Sequence, residues 1–288
     1  MDALTLFIQT IFFRSYVFFF LAAFLAAAVH LIGWPRTWRF CIISWATAFL
    51  SEFISTRTGV PFGWYYYNGS TIGQELYILN IPFMASVSFS FLLFAAYCMA
   101  LCLLLPEERS LSLPSSPLVH LHFGSVSRSS RTILILSSLL FALIDMVIDP
   151  VALRGERWFL GSIYYYDAPG IHFGVPVTNY LGWIVVGLIA LSIYFFFDRR
   201  LPPLPAHSGR STSQRLLVGV GLYYLVLAFN LSVAFWIGEW HIAIISVLMY
   251  LPITAWLVLR LTGSLCPFTS LVVDHSTDTS GNQTRDFV

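Results

Sequence analysis

Lysine does not occur in this chain, and all fifteen basic residues are arginine. Without a lysine amine no Schiff base can form, which excludes a retinal-type pigment. Charge of either sign is scarce, at 10% of residues with a net of +1, so no basic surface for nucleic acid is expected. The four cysteines Cys41, Cys98, Cys102 and Cys266 have neither zinc nor redox spacing. The seven histidines, among them the His120-x-His122 pair in a Pro/Ser-rich stretch, show no paired helical spacing of the kind that builds a membrane di-iron centre. Walker and dinucleotide glycine patterns are missing too. Neither a metal nor a cofactor is expected.

What the chain has in abundance is hydrocarbon. With 58% hydrophobic residues and a mean hydropathy of +0.78, it reads as an all-α polytopic membrane helix bundle. Windows of about 19 residues predict seven spans, near 14–33, 38–55, 81–105, 132–149, 176–198, 215–237 and 241–262. The first apolar run exceeds the roughly 7–15 residues of a signal-peptide core and is expected to be retained. Residues 1–263 form the expected membrane domain, interrupted by Pro/Ser-rich 106–130 and Pro-rich 202–214, and the polar stretch 264–288 is expected to be a disordered tail. Arginines gather after the first, third and fifth spans and in the tail. The positive-inside rule therefore predicts a multi-pass protein of the cell membrane with its N-terminus outside and its C-terminus cytoplasmic.

Against this background one pattern occurs twice: an acidic residue, a glycine, a tyrosine cluster and a segment ending in proline. The first copy runs through Glu52, Thr58-Gly59, Pro61-Phe62-Gly63, Tyr65-Tyr66-Tyr67 and Ile81-Pro82. The second runs through Asp145, Asp149-Pro150, Gly155, Trp158, Gly161, Tyr164-Tyr165-Tyr166, Gly174-Val175-Pro176, Asn179 and Gly182-Trp183. The predicted topology sets both motif loops on one face, with a shared cavity beneath them. A carboxylate entering hydrocarbon costs about 2.5–3.5 kcal/mol on insertion scales, which makes these acids candidates for function.

Asp145 and Asp149 are four apart and project from one helix face, so they can act as a pair. Two carboxyls in a site of low polarity do not both ionise cheaply; one is expected to keep its proton and serve as an acid toward a weakly basic carbon or oxygen. Glu52, above Ala48 and Trp45 at the matching end of its helix, completes an acid/base set. The competing reading places these acids at the water interface, paired with Arg57, Arg154 or Arg157. For the aromatic residues an interfacial belt competes with rings that face a buried cation. Gly59, Gly63, Gly155 and Gly161 suit tight turns, and Pro61 and Pro150 are expected to stop helices. Asp145-x-x-x-Asp149 also has the spacing of Mg²⁺-diphosphate motifs in membrane prenyltransferases, but the first copy offers only Glu52 where those proteins have a second acidic cluster.

At these residues the chain resembles the integral-membrane carotenoid biosynthesis family that includes the carotenoid 1,2-hydratases, bisanhydrobacterioruberin-type hydratases among them. Glu52, Arg57-Thr58-Gly59, Pro61-Phe62-Gly63, Tyr65 and Tyr67 carry the likeness in the first half. Asp145, Asp149-Pro150, Gly155, Trp158, Gly174-Val175-Pro176, Asn179 and Gly182-Trp183 carry it in the second. One departure is that Ser86 and Ser88 stand in a stretch after Pro82 where the family tends to have a tryptophan. The second half is also similar to membrane lycopene cyclase domains, although Val177-Thr178-Asn179 follows Pro176 in place of an acidic pair.

The resemblance implies an enzyme that protonates the terminal double bond of an acyclic (psi) carotenoid end group and lets water capture the tertiary cation. Asp145 or Asp149 would be the acid, Glu52 would handle the water, and Asn179 would bond the water or new hydroxyl. Tyr65, Tyr67, Trp158, Tyr164, Tyr166 and Trp183 would line the substrate site, with Gly59, Pro61, Gly63, Pro150, Gly155, Gly174 and Pro176 as structural motif residues. The implied partners are a lipophilic carotenoid, membrane lipid and other carotenoid enzymes. The alternatives are a carotenoid cyclase, or a non-enzymatic carotenoid-binding or transport protein.

Overall fold

The computed structural model describes residues 2–105, 107–108, 120–121, 128–202 and 209–262. The expected tail, most of the 106–130 stretch, and His122, His207, Cys266 and His275 lie outside the described residues. Within them are eight helices: α1 (Ala3–Phe13), α2 (Ser15–Ile32), α3 (Trp34–Thr58), α4 (Phe83–Leu104), α5 (Arg131–Ala152), α6 (Val177–Asp198), α7 (Gly209–Trp236) and α8 (Trp240–Leu261). Helices α2 to α8 coincide with the seven predicted spans. The additional helix α1 is apolar but short, and it starts where the Asp2 carboxylate accepts a hydrogen bond from the Thr5 amide at 2.8 Å.

Six helices, all but α1 and α3, are long and apolar enough to cross a bilayer. The 25-residue α3 has the length but carries Arg36, Arg39, Glu52 and Arg57, which lower its hydropathy. The protein is an all-α, multi-pass membrane bundle. At its centre α4 is buried along most of its length among α2, α3, α5 and α7. Small residues allow close helix approach: a Cβ on Gly219 of α7 would lie 2.4 Å from Cys98 Sγ of α4, and one on Gly187 of α6 would lie 3.1 Å from Ser138 Oγ of α5.

Contacts at the two ends show that α2 to α8 alternate in direction. At one end Arg14, between α1 and α2, reaches Glu75 and Leu160 of the two motif loops. At the other, Arg36 near the start of α3 and Arg128 before α5 both donate to Asp198 at the end of α6, at 2.6 and 2.7 Å. At that same end Arg215 of α7 reaches the His30 carbonyl, and Arg260 of α8 bonds the Leu105 carbonyl. Both motif loops thus share one face. They are joined there by a two-stranded antiparallel pairing of β1 (Tyr65–Tyr67) with β2 (Tyr164–Tyr166).

The Arg14–Glu75 pair ties α2 to that face from inside. Its nitrogen–oxygen distance is 2.7 Å, both side chains are fully buried, and Arg14 donates in addition to Leu160 O at 2.7 Å. Breaking a buried pair from one side leaves an uncompensated charge and costs about 3–5 kcal/mol, whereas replacing both partners by apolar groups is close to neutral. Arg14→Met is therefore expected to lower stability markedly, and Arg14→Met with Glu75→Leu to recover most of it. Heat-induced loss of monodisperse protein in detergent, followed by size-exclusion chromatography, measures both.

Candidate active site

Where α3 and α5 approach the motif face, Glu52 of α3 and both Asp145 and Asp149 of α5 lie inside the helix, within its last two turns. Helix α3 runs three residues past the predicted boundary and stops at Gly59, whose φ of 76° is left-handed. A Cβ at this glycine would meet the Trp64 indole at 2.7 Å. Helix α5 runs on through Pro150 to Ala152, so the prediction that this proline stops the helix does not hold. The proline ring removes the N–H that would bond the Met146 carbonyl. His172, from the second motif loop, donates its Nε2–H to that oxygen at 3.0 Å, which satisfies the freed group and lets the helix continue.

The three acids are met by hydroxyls and an amide. Glu52, 4% exposed, accepts from the Tyr67 hydroxyl at 2.6 Å on Oε1 and from the Ser86 hydroxyl on Oε2. Asp149 accepts from Tyr164 OH on Oδ1 at 2.7 Å, and from Tyr166 OH at 2.5 Å and Asn179 Nδ2 at 2.8 Å on Oδ2. The same Asn179 nitrogen donates to Asp145 Oδ2 at 2.7 Å, so one amide bridges both aspartates. Asp145 is completely buried, and its Oδ1 has no hydrogen-bond partner among the described residues.

The expected competing pairing with arginine does not occur. Arg57 stacks on the Phe53 ring at 3.5 Å and bonds the Phe53 carbonyl. Arg154 and Arg157 both go to Glu239, in the turn between α7 and α8.

Strand pairing explains why the tyrosines serve the acids. Tyr65 faces Tyr166, Tyr66 faces Tyr165 and Tyr67 faces Tyr164. Side chains alternate along a strand. Tyr65, Tyr67, Tyr164 and Tyr166 consequently point inward together, while Tyr66 and Tyr165 pack on the other face with ring centroids 5.8 Å apart and planes tilted by 38°. Burial, reinforced by the nearby acids, holds the four inward phenols well above the ordinary tyrosine range, so they remain neutral donors.

Beneath the strands lies a cavity of about 160 Å³. Glu52, Asp145, Asp149, Asn179 and the four inward tyrosines form its polar end, and Trp158 and Trp183 also line it. One wall is aromatic: Phe89 of α4 stacks on Trp183 of α6 at 4.2 Å and 14°, with Phe62 beside them. Tyr16 and Phe20 of α2 and Phe229 and Asn230 of α7 line a further arm. Among the described residues, none that lines the cavity is basic, so none of them offers a diphosphate a cationic partner there.

Every predicted catalytic and substrate residue thus meets at one cavity. The motif glycines and prolines shape the loops around it: Gly63 and Gly174 take positive φ, the Pro61 carbonyl lies close to Gly182 of α6, and Pro176 precedes the first turn of α6. A Cβ on Gly155 would lie 2.0 Å from the Gly161 carbonyl, which keeps the second loop closed on itself. The sequence reading missed Ser86 as a partner of Glu52, His172 as the support of α5, and the arm from α2 and α7. The arm residues lie outside both motif copies, in helices that read only as apolar.

The model of the family described as carotenoid biosynthesis protein matches residues 12–252. The bisanhydrobacterioruberin hydratase of Haloarcula japonica is 31% identical over 149 residues, covering 51% of this chain and 41% of that protein. The matched stretch therefore spans well under half the length of that curated relative. No solved structure matches the chain. With five-sixths of its length inside the family match, the chain belongs to the carotenoid biosynthesis protein family.

Proposed function

We propose that the protein hydrates the terminal double bond of an acyclic carotenoid end group. The observation that carries this reading is the meeting of three carboxyls, held by neutral donors, at the polar end of one cavity whose remaining walls are aromatic and apolar. The hydratase name of the Haloarcula japonica relative supports it. A cavity of about 160 Å³ is the size that elsewhere takes a benzene-sized molecule. It suits one isoprenoid end, with the polyene remaining between the helices and the bilayer.

In this reading Asp149 or Asp145 gives its proton to the less substituted alkene carbon, and the positive charge develops on the tertiary carbon. The faces of Phe62, Phe89 and Trp183 stabilise that charge through their quadrupoles. A water oxygen then bonds the tertiary carbon, and Glu52 takes the water's proton. The amide hydrogens of Asn179 are committed to the two aspartates, so its carbonyl oxygen accepts from the water or the new hydroxyl. The sum is the addition of one water. A cyclase would share the first step and divert the cation to ring closure.

We further propose that the motif face is the non-cytoplasmic one, because Arg36, Arg39, Arg128, Arg131, Arg199, Arg200, Arg215 and Arg260 lie toward the other end.

Expressed in cells that accumulate lycopene or related acyclic carotenoids, the protein is expected to yield a pigment heavier by one water. Growth in ¹⁸O-labelled water should place the label in that product. Label taken from O₂ would indicate a hydroxylase, and an isomer of unchanged mass with shifted absorption would indicate a cyclase. Asp149→Asn is expected to cut turnover at least about 100-fold with the protein still inserted, since an amide has no acidic proton to give. The exposed Glu156→Gln serves as a control that retains activity. For orientation, single cysteines at the exposed positions Asn68 and Asp167, in a background without native cysteines, are both expected to react with an impermeant thiol reagent on intact cells. Reaction of both only after permeabilisation would reverse the assigned orientation.

A further inference from the structure

A proton that leaves one half of the repeat has to come back from the other. After the proposed hydration Glu52 holds the proton lost by water, and the aspartate pair lacks the one given to carbon. Ring closure would leave the same imbalance, because the cation then loses its proton to a base. Glu52 and Asp149 stand on different helices, and no hydrogen bond joins them directly.

Two side chains stand in that gap. Tyr67 OH donates to Glu52 Oε1 at 2.6 Å, and Tyr164 OH donates to Asp149 Oδ1 at 2.7 Å. These two tyrosines are direct partners in the antiparallel register of β1 and β2, and their ring centroids are 6.2 Å apart. Both line the cavity beside the acids. Directly opposed residues of a strand pair keep their side chains on one face and in contact. The β1–β2 pairing therefore sets the ring of the tyrosine that serves the base against the ring of the tyrosine that serves the acid, with each hydroxyl given to its own acid.

We propose that Tyr67 and Tyr164 return the proton from Glu52 to Asp149 after each turnover, an inference that rests on the acid-catalysed reading above. With Glu52 protonated, its O–H donates to the Tyr67 oxygen, and the Tyr67 hydrogen turns from Glu52 toward the Tyr164 oxygen. Three O–H bonds then break as three form. The proton of Glu52 moves to Tyr67, that of Tyr67 to Tyr164, and that of Tyr164 to Asp149. Both phenols end neutral, Glu52 is again a carboxylate and Asp149 again an acid. Burial keeps both phenols far above their ordinary range, which favours such a hydroxyl exchange over a phenolate intermediate. Tyr166 also donates to Asp149, so this acid keeps a hydroxyl partner and its Asn179 contact when Tyr164 is replaced.

Product counted per protein molecule separates a relay from a positioning role. Tyr67→Phe, Tyr164→Phe and the double variant, purified into lipid vesicles, are given excess acyclic carotenoid and followed from the first turnover. The relay predicts that the first equivalent of product, made with the resting proton, forms within a few-fold of the wild-type rate. Later turnovers then slow by about tenfold or more, and the double variant is no slower than either single one. Tyr66→Phe and Tyr165→Phe, on the outward face, retain wild-type kinetics. Equal slowing of first and later turnovers, multiplicative losses in the double variant, or undiminished steady turnover would each overturn the relay. A burst seen with a cyclised product would uphold the relay while rejecting hydration. A wild-type protein that converts no acyclic carotenoid would overturn both.

Discussion

Three carboxyl groups sit inside a bundle of apolar helices, and the whole motif face is arranged to supply them with hydrogen-bond donors. An acid in hydrocarbon without partners is expensive. Here Glu52 has two hydroxyls, Asp149 has two hydroxyls and an amide, and Asp145 has that same amide. Neutral donors lower the cost of burial without fixing an acid permanently in a salt bridge, so the groups stay available to exchange protons. The arginines that approach are turned to structure: Arg14 to Glu75, Arg154 and Arg157 to Glu239.

This demand explains the shape of the loops. Three tyrosine hydroxyls, from Tyr67, Tyr164 and Tyr166, have to reach the acids from two loops far apart in sequence, and the pairing of β1 with β2 meets that need, because alternation delivers the outer two tyrosines of each triplet to one side. The turns on either side then have to be tight. Gly155 lies against the Gly161 backbone and Gly59 against Trp64, where any side chain would collide. Even the proline within α5 belongs to the scheme, since the carbonyl it leaves free is taken by His172 of the same loop. Cavity, strands and helix ends therefore depend on one another.

At the opposite end the charges serve packing instead. Asp198 gathers Arg36 and Arg128, which joins the start of α3, the approach to α5 and the end of α6 in one buried cluster. The contrast between the ends is chemical. One has an aspartate shared by two arginines, and the other has acids matched with neutral donors around a cavity.

Composition and periodicity alone determined the membrane class and the seven helices, because a hydrocarbon stretch about 20 residues long has few other stable fates. The repeat also picked out Glu52, Asp145, Asp149 and the tyrosines, since polar groups stand out against an apolar background. What the linear chain could not decide was which donor meets which acid. That choice depends on the strand register, which brings Tyr67 opposite Tyr164, and on helix packing, which brings Ser86 of α4 to Glu52 of α3. The same holds for Pro150, whose local effect is to end a helix until a histidine 22 residues later in the chain removes the reason to stop. Tyr16, Phe20 and Phe229 are indistinguishable from ordinary span residues in sequence, and only the meeting of α2 with α7 makes them walls of the cavity.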